Sequence, residues 1–390
     1  MIVKSVPKQY KKHQSFSNFF TSKGVDNLER QRDRAIQTIN MAIKDQTLSV
    51  EKTLVLESTL SELLNSDSES KSRDFIITPF IAAEMEALES SMVINYLYHR
   101  YRYDVYPKKY LLDKYPPYIQ IEPTSICNFR CIYCFQTDET FSNKSTGYMG
   151  NMSFETYKRI VDQIENNVEF ISLASRGEPL ICREIDKMLE YSAGKFLNLK
   201  LNTNASLLTE KYAHAILSGG AQTLVISADA AEEPLYSQYR VNGSLDSIIE
   251  NLETFQRIKE QHYPHSKLIT RVSGVHVNED EQNMDSMIDF WGSLVDQVSF
   301  VKYNPWENTY KTKPNNIIKP CSDLWRRMFI WYDGVINPCD SDYKSTLAVG
   351  DINKHTIEEL WNGEKYSELR EKHQNSNRQS LEPCRRCPVI

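Results

Sequence analysis

Apolar residues recur at three- and four-residue intervals through the first hundred positions, in "NLERQRDRAIQTINMAIKD" (27–45) and "VEKTLVLESTLSELLN" (50–65). That spacing predicts helices with one apolar stripe. "SDSESKSRD" (66–74) interrupts the pattern and reads as an exposed polar linker. "IAAEMEALESSMVINYLYHRYRY" (81–103) predicts one further long helix, stopped by the prolines of "YPPYIQIEP" (115–123). From there short β-rich runs alternate with helical stretches. The predicted strands are "YIQIEP", "EFISLAS", "LNLKLN", "TLVISA", "KLITRVSGV" and "DQVSFVKY", with helices starting near Ser153, Cys182, Thr209, Ser244 and Asn278. Strands separated by helices imply a parallel sheet with right-handed crossovers, and six of them imply an α/β partial barrel with ligands at the carboxyl ends of the strands. After Tyr303 the alternation stops. "RRMFIWYDGVINPC" (326–339) predicts a hairpin turning at Asp333-Gly334, "TIEELWNGEKYSELREKH" a helix or broken helix pair, and "EPCRRCPVI" ends the chain in a C-x2-C knuckle. The expected domains are a helical extension (1–110), the barrel (111–310) and a small C-terminal hairpin and helix domain (311–390).

Charge narrows the partners. Across 390 residues the net charge is −6, which disfavours nucleic acid because phosphate binding needs a basic stripe. No apolar run is long enough for a membrane span, and the basic N-terminus lacks the apolar core of a secretory signal. A cytoplasmic protein is expected, and in a reducing compartment its eight cysteines point to metal ligation or catalysis rather than disulfides.

Seven of those cysteines fall in two groups. Cys127, Cys131 and Cys134 follow the first predicted strand in the spacing C-x3-C-x2-C. Thiolates suit iron–sulfur clusters or zinc, and three of them on a four-iron cluster leave one coordination position open. Cys321, Cys339, Cys384 and Cys387 are spaced C-x17-C-x44-C-x2-C, enough to close a four-ligand site. Cys182 stands apart and reads as a small core residue, although the family resemblance described next also admits a thiol that returns a hydrogen atom to a substrate radical.

The first group, with Tyr133 before its last cysteine, resembles the radical S-adenosylmethionine (radical SAM) superfamily. The resemblance implies a [4Fe–4S] cluster on Cys127, Cys131 and Cys134, with SAM chelating the free iron, Tyr133 against the adenine, and 5′-deoxyadenosyl radical chemistry as the activity. "ASRGEP" (174–179) is similar to the family's GGE motif: Gly177 would permit close backbone approach and Glu178 would accept from the SAM ammonium, with Arg176 in place of the usual first glycine. Asn202, Thr203 and Asn204 end the third strand; Ser227 and Asp229 end the fourth; Arg240 is a candidate for the SAM carboxylate; Arg271 and Ser273 lie on the fifth. Each could equally be a cap or turn residue.

The second group resembles the SPASM or shorter "twitch" extension of the same superfamily, with four cysteines instead of about seven and hence one fully ligated auxiliary [4Fe–4S] cluster. That count is similar to the family's dehydrogenases acting on aminocyclitols. The resemblance covers residues 117–390. It implies an oxidoreductase using SAM, a small-molecule or peptide substrate and an electron donor such as flavodoxin or ferredoxin. Net dehydrogenation of a sugar- or cyclitol-like alcohol, or modification of a peptide, is the expected reaction. The alternatives are a redox-neutral epimerase and, in another class, a zinc-stabilised binding module. Trp325, Trp331 and Tyr332 near this group read as core, while "NPWENTY" (304–310) would either pack or edge the substrate groove.

Overall fold

The computed structural model describes residues 9–11, 18–21, 28–46, 48–65 and 73–390. Most of the polar stretch 66–74 lies outside the described residues. The chain divides into two compact units, residues 23–113 and residues 1–22 with 114–390.

The first unit is helical: Leu28–Lys44, Val50–Leu64, Pro79–Ala87 and Ser90–Lys109. Ser49 and Thr78 cap the second and third helices by accepting from Lys52 N–H and Ile81 N–H, each satisfying a donor that has no partner inside the helix. The expected single helix over 81–103 is two. Leu88 and Glu89 are extended, and the Arg34 guanidinium takes the carbonyls of Met85 at 2.7 Å and Leu88 at 2.8 Å. An outside cation therefore ends the helix where local periodicity would have carried it on. The last helix also stops before the prolines at 116 and 117, at Tyr110, which takes the left-handed conformation of a C-terminal cap.

In the second unit all six predicted strands are present: β2 (Tyr118–Ile121), β3 (Phe170–Leu173), β4 (Asn198–Thr203), β5 (Thr223–Ser227), β6 (Ile269–His276) and β7 (Gln297–Lys302). They pair in parallel in that order. Strand β1 (Asn18–Thr21), in a stretch expected to be helical, pairs antiparallel with β7. The hairpin forms as β8 (Arg327–Ile330) and β9 (Val335–Asn337), and β10 (Gly350–Asp351) pairs with β9. Gly334 turns the hairpin at φ 89°, a region that favours glycine. Strand β8 runs parallel to β2, with Ile119 opposite Met328 and Ile121 opposite Ile330. The hairpin therefore extends the barrel sheet instead of standing beside it. The ten described strands run β1-β7-β6-β5-β4-β3-β2-β8-β9-β10, an open α/β sheet and not a closed barrel.

The two faces of the sheet differ. Ile119, Ile121, Ile171, Leu173, Leu199, Leu201, Leu224, Ile226, Val272 and Val298 join one core with apolar residues of the helices Phe154–Ile164, Ile185–Ser192, Glu210–Ser218 and Leu245–His262. Each such fully buried aliphatic side chain contributes up to about 1.5–3 kcal/mol. Most of the alternate positions are polar, among them Gln120, Ser172, Lys200, Asn202, Arg271, Gln297, Ser299 and Arg327, with Val225 and Phe329 as apolar exceptions. A parallel sheet buried on both faces ordinarily reads apolar throughout; this alternation marks the other face as the concave interior of a partial barrel. Arg327 donates to Gln120 at 2.8 Å and Arg271 to Gln297 at 2.8 Å.

Helices start as expected at the caps Ser153, Thr209 and Ser244. Near Cys182 a short turn, Pro179–Ile181, comes first and the helix begins at Ile185. Near Asn278 the helix begins later, at Met284, because Gln282 ties the preceding loop to Val277 N–H, Asn278 N–H and the carbonyls of Asp229 and Val275.

Candidate active site and auxiliary centre

The three-cysteine loop leaves the carboxyl end of β2 and is fastened along its length. Arg130 N–H donates to Val241 O at 3.0 Å, Ile132 N–H to Tyr239 O at 3.1 Å and Cys134 N–H to Cys131 O at 3.0 Å. The buried Gln136 amide bonds Ser125 O and Arg176 O. Cys127, Cys131 and Cys134 are free, part-buried thiols. Burial pushes Cys127 up to about 12 and raises Cys131 and Cys134 as well. Three thiols gathered where burial disfavours the bare thiolate fit a site in which a metal supplies the compensating charge.

Tyr133 O–H donates to Asp229, which is fully buried. The same carboxylate oxygen pairs with Arg240 Nε at 2.5 Å, and its other oxygen accepts from Val275 N–H at 2.6 Å. Arg240 Nη1 lies 3.9 Å from Cys131 Sγ. Burial raises the Asp229 carboxyl while Arg240 opposes the rise. The end of β5, the segment carrying Arg240 and the cysteine loop thus share one charged network. Local sequence places Asp229 only at a strand end; its pairing with Arg240, eleven positions on, has no local signature.

Glu178 is held by β4. Its Oε1 accepts from Thr203 O–H at 2.6 Å and Leu180 N–H at 3.1 Å, and its Oε2 from Asn204 N–H at 2.7 Å. Burial pushes its carboxyl up and these bonds pull it back. Asn204 also donates to Asn128 at 3.0 Å, one residue after Cys127. Asn202 Oδ1 is buried with no partner among the described residues, a polar atom suited to a ligand's donor. Ser227 lies beside Ser273 in register on the concave face. At Gly177 an added Cβ would lie 2.4 Å from Thr124 O and 2.5 Å from Ile126 O, so the glycine admits the chain's own backbone ahead of the cysteines.

Arg176 makes a two-pronged ion pair with Glu122 at 2.6 and 2.7 Å, both side chains fully buried. It also donates to Tyr343 O at 2.9 Å and lies over the Trp331 ring at 4.1 Å. Glu122 accepts from Tyr332 N–H at 3.2 Å. Phe135, next to Cys134, stacks on Tyr343 with centroids 4.9 Å apart, and Trp306 and Tyr310 join the same cluster. The residue standing in for the motif's first glycine therefore joins the cysteine loop to the C-terminal hairpin, and "NPWENTY" packs there.

The thiols of Cys321, Cys339, Cys384 and Cys387 line one cavity with Asp323, His373 and Arg378. Burial pushes Cys321 up to about 12 and raises Cys384. Tyr10 and Val389 pack against Cys387 and Cys321, with Tyr10 bridging to Val389. Among the described residues no three His, Cys, Asp or Glu side chains converge for a single metal ion. The four thiols line a common cavity, and a set of four thiolates suits an iron–sulfur cluster. Trp325 and Trp331 are buried and Tyr332 is half-buried.

Cys182 belongs to the helix-side core, fully buried, with its thiol 3.9 Å from Met152 O. Cys182→Ala is expected to leave 5′-deoxyadenosine formation and product yield within twofold of the parent and to cost about 1 kcal/mol in stability. Product assays beside a melting curve check this; loss of product with SAM cleavage intact would assign the thiol a chemical role.

Residues 121–288 match the radical SAM superfamily and residues 321–388 match SPASM, the iron–sulfur cluster-binding domain. Radical SAM and SPASM domains are both found in this chain, which matches a radical SAM enzyme with a C-terminal SPASM domain. Together they imply an iron–sulfur cluster used with SAM and an auxiliary cluster. The chain is 22% identical over 285 residues to the S-adenosyl-L-methionine-dependent 2-deoxy-scyllo-inosamine dehydrogenase of Niallia circulans, covering 71% of this chain and 94% of that one. It is 32% identical over 152 residues to a GTP 3′,8-cyclase of Campylobacter fetus, covering 37% of this chain and 45% of that one. In fold it resembles BtrN in complex with AdoMet and 2-DOIA (TM-score 0.50, 18% identity, 72% of this chain and 95% of that one). It also resembles Streptococcus suis SuiB bound to S-adenosylmethionine (TM-score 0.53, 14% identity, 91% and 87%). Among the described residues no helix is long and apolar enough to cross a membrane.

Proposed function

We propose that this chain dehydrogenates an alcohol of a sugar- or cyclitol-like substrate. The observation that carries the reading is the pairing of an open three-thiol loop with a separate four-thiol cavity. Similarity over nearly the whole length of an aminocyclitol dehydrogenase supports it. When bound, the first cluster and SAM supply a 5′-deoxyadenosyl radical that removes one hydrogen atom, and the auxiliary cluster supplies an acceptor for the second electron. The chain's own part is holding and shielding. Cys127, Cys131 and Cys134 would hold the first cluster, and Cys321, Cys339, Cys384 and Cys387 the second. Asp229 fixes Tyr133 and Arg240 at the rim of the loop, where a planar ring and a cation suit an adenine and a carboxylate. Asn202 and Ser227 offer hydrogen bonds from the concave face. The hydroxyl proton would leave to solvent or buffer, and the electron left on the auxiliary site would balance the one that cleaves SAM, so a turnover consumes one SAM and no net electron, an external one being needed only to prime the first cluster. A flavodoxin- or ferredoxin-type reductant would deliver that electron.

The test uses anaerobically reconstituted protein with dithionite, SAM and a panel of aminocyclitols, with peptides as a second arm. A ketone formed in step with 5′-deoxyadenosine is the expected result. No 5′-deoxyadenosine under any condition, or an isomerised alcohol with no ketone, would sink the reading.

A further inference from the structure

The wall of the four-thiol cavity holds two nitrogen donors whose other bonds are all accounted for. Arg378 is buried, and its two terminal nitrogens are spent on main-chain carbonyls. Nη1 bonds Lys319 O and Val389 O at 2.9 Å each, and Nη2 bonds Cys384 O and Cys387 O at 3.0 Å each. Its Nε–H is buried with no acceptor among the described residues. An orphaned buried donor costs about 1–3 kcal/mol, so the site is arranged for something that accepts. None of the four bonds is to a carboxylate. Asp323, the acid in the cavity wall, is paired with Arg326 at 3.1 Å.

His373 lies in the last turn of the helix Glu364–Gln374. Its Nδ1 is 3.1 Å from Cys321 N–H and must accept that proton. The ring proton is therefore on Nε2, which makes the imidazole a neutral donor.

We propose that Arg378 and His373 are a built-in donor pair for the auxiliary cluster that raises its reduction potential. The proposal rests on the reading that the four thiols hold such a cluster. Adding an electron adds negative charge in a buried site, which low dielectric disfavours. A fixed cation and N–H donors favour the more negative state and oppose that penalty. A cluster poised in this way accepts an electron more readily, as dehydrogenation requires.

The test isolates the auxiliary site in the full chain by replacing Cys127, Cys131 and Cys134 with alanine. After anaerobic reconstitution, iron and sulfide are counted and the potential is read by redox titration with electron paramagnetic resonance. Arg378→Met and His373→Leu should each shift the potential downward, and Arg378→Lys, which keeps the charge, by less. Because Arg378 also anchors the knuckle carbonyls, loss of iron in Arg378→Met leaves the decision to His373→Leu and Arg378→Lys. Unshifted potentials in those two at full iron content would overturn the donor role while leaving the cluster reading intact. A parent that binds no iron would overturn both.

Discussion

Cys131→Ala is expected to reduce 5′-deoxyadenosine formation to background while leaving roughly half of the iron, the share of a second, separately ligated cluster. The thiol sits centrally in the loop, beside Arg240 at 3.9 Å and within the network that fixes Tyr133. Removing one of three ligands opens a second coordination position and leaves a buried cation facing no thiolate. Cys339→Ala should behave differently. SAM cleavage would persist, but oxidised product would fall at least tenfold relative to 5′-deoxyadenosine, because only the electron acceptor is impaired. Iron counts, 5′-deoxyadenosine and product measured on the same samples separate the two outcomes. If both variants lost SAM cleavage alike, the division of labour between the two cysteine groups would be wrong.

The second large effect is on stability. Arg176→Ala removes one partner of a fully buried, doubly hydrogen-bonded ion pair and leaves Glu122 charged without a counter-ion. Breaking such a pair costs about 3–5 kcal/mol, and the bond to Tyr343 O is lost with it. Arg176→Gly, which restores the family's glycine, is expected to be at least as damaging here, because Glu122 stays in place beneath it. Glu122→Gln should cost less than Arg176→Ala. The neutral amide keeps one acceptor oxygen for a main-chain N–H, where the parent carboxylate accepts from Arg176 N–H at 3.1 Å on one oxygen and Tyr332 N–H at 3.2 Å on the other, and it leaves no carboxylate buried without a counter-ion. Thermal midpoints of the reconstituted proteins, compared with the Cys182→Ala control, provide the measurement. An Arg176→Ala midpoint equal to the parent's would remove the ion pair from the account of how the cysteine loop is joined to the hairpin.

Local periodicity carries most of the barrel. The alternation in "LNLKLN" is the same alternation that puts Leu199 and Leu201 in the core and Lys200 and Asn202 on the concave face. The cysteine spacings likewise identify two candidate centres before any fold is known. What the chain text does not carry is pairing at a distance. Nothing near Arg327–Ile330 says that its neighbour is β2, because a strand's pattern states that it pairs and not with what. The Glu122–Arg176 pair joins positions 54 apart in the sequence, and Asp229 with Arg240 is one charge pair among many that a sequence would allow. The split of the 81–103 helix depends on Arg34, from another helix. His373 and Arg378 stand in an unremarkable polar run, and only the cavity they line gives them a role.

The place of β8 also bears on how the molecule is made. Strand β2 finds β3 soon after synthesis, but its other edge waits for β8, about 200 residues later in the chain. Until then β2 presents an open row of main-chain donors and acceptors next to reactive thiols, the sort of edge that recruits other chains. Pairing with β8 closes that edge, so the C-terminal hairpin protects the strand that carries the cysteine loop.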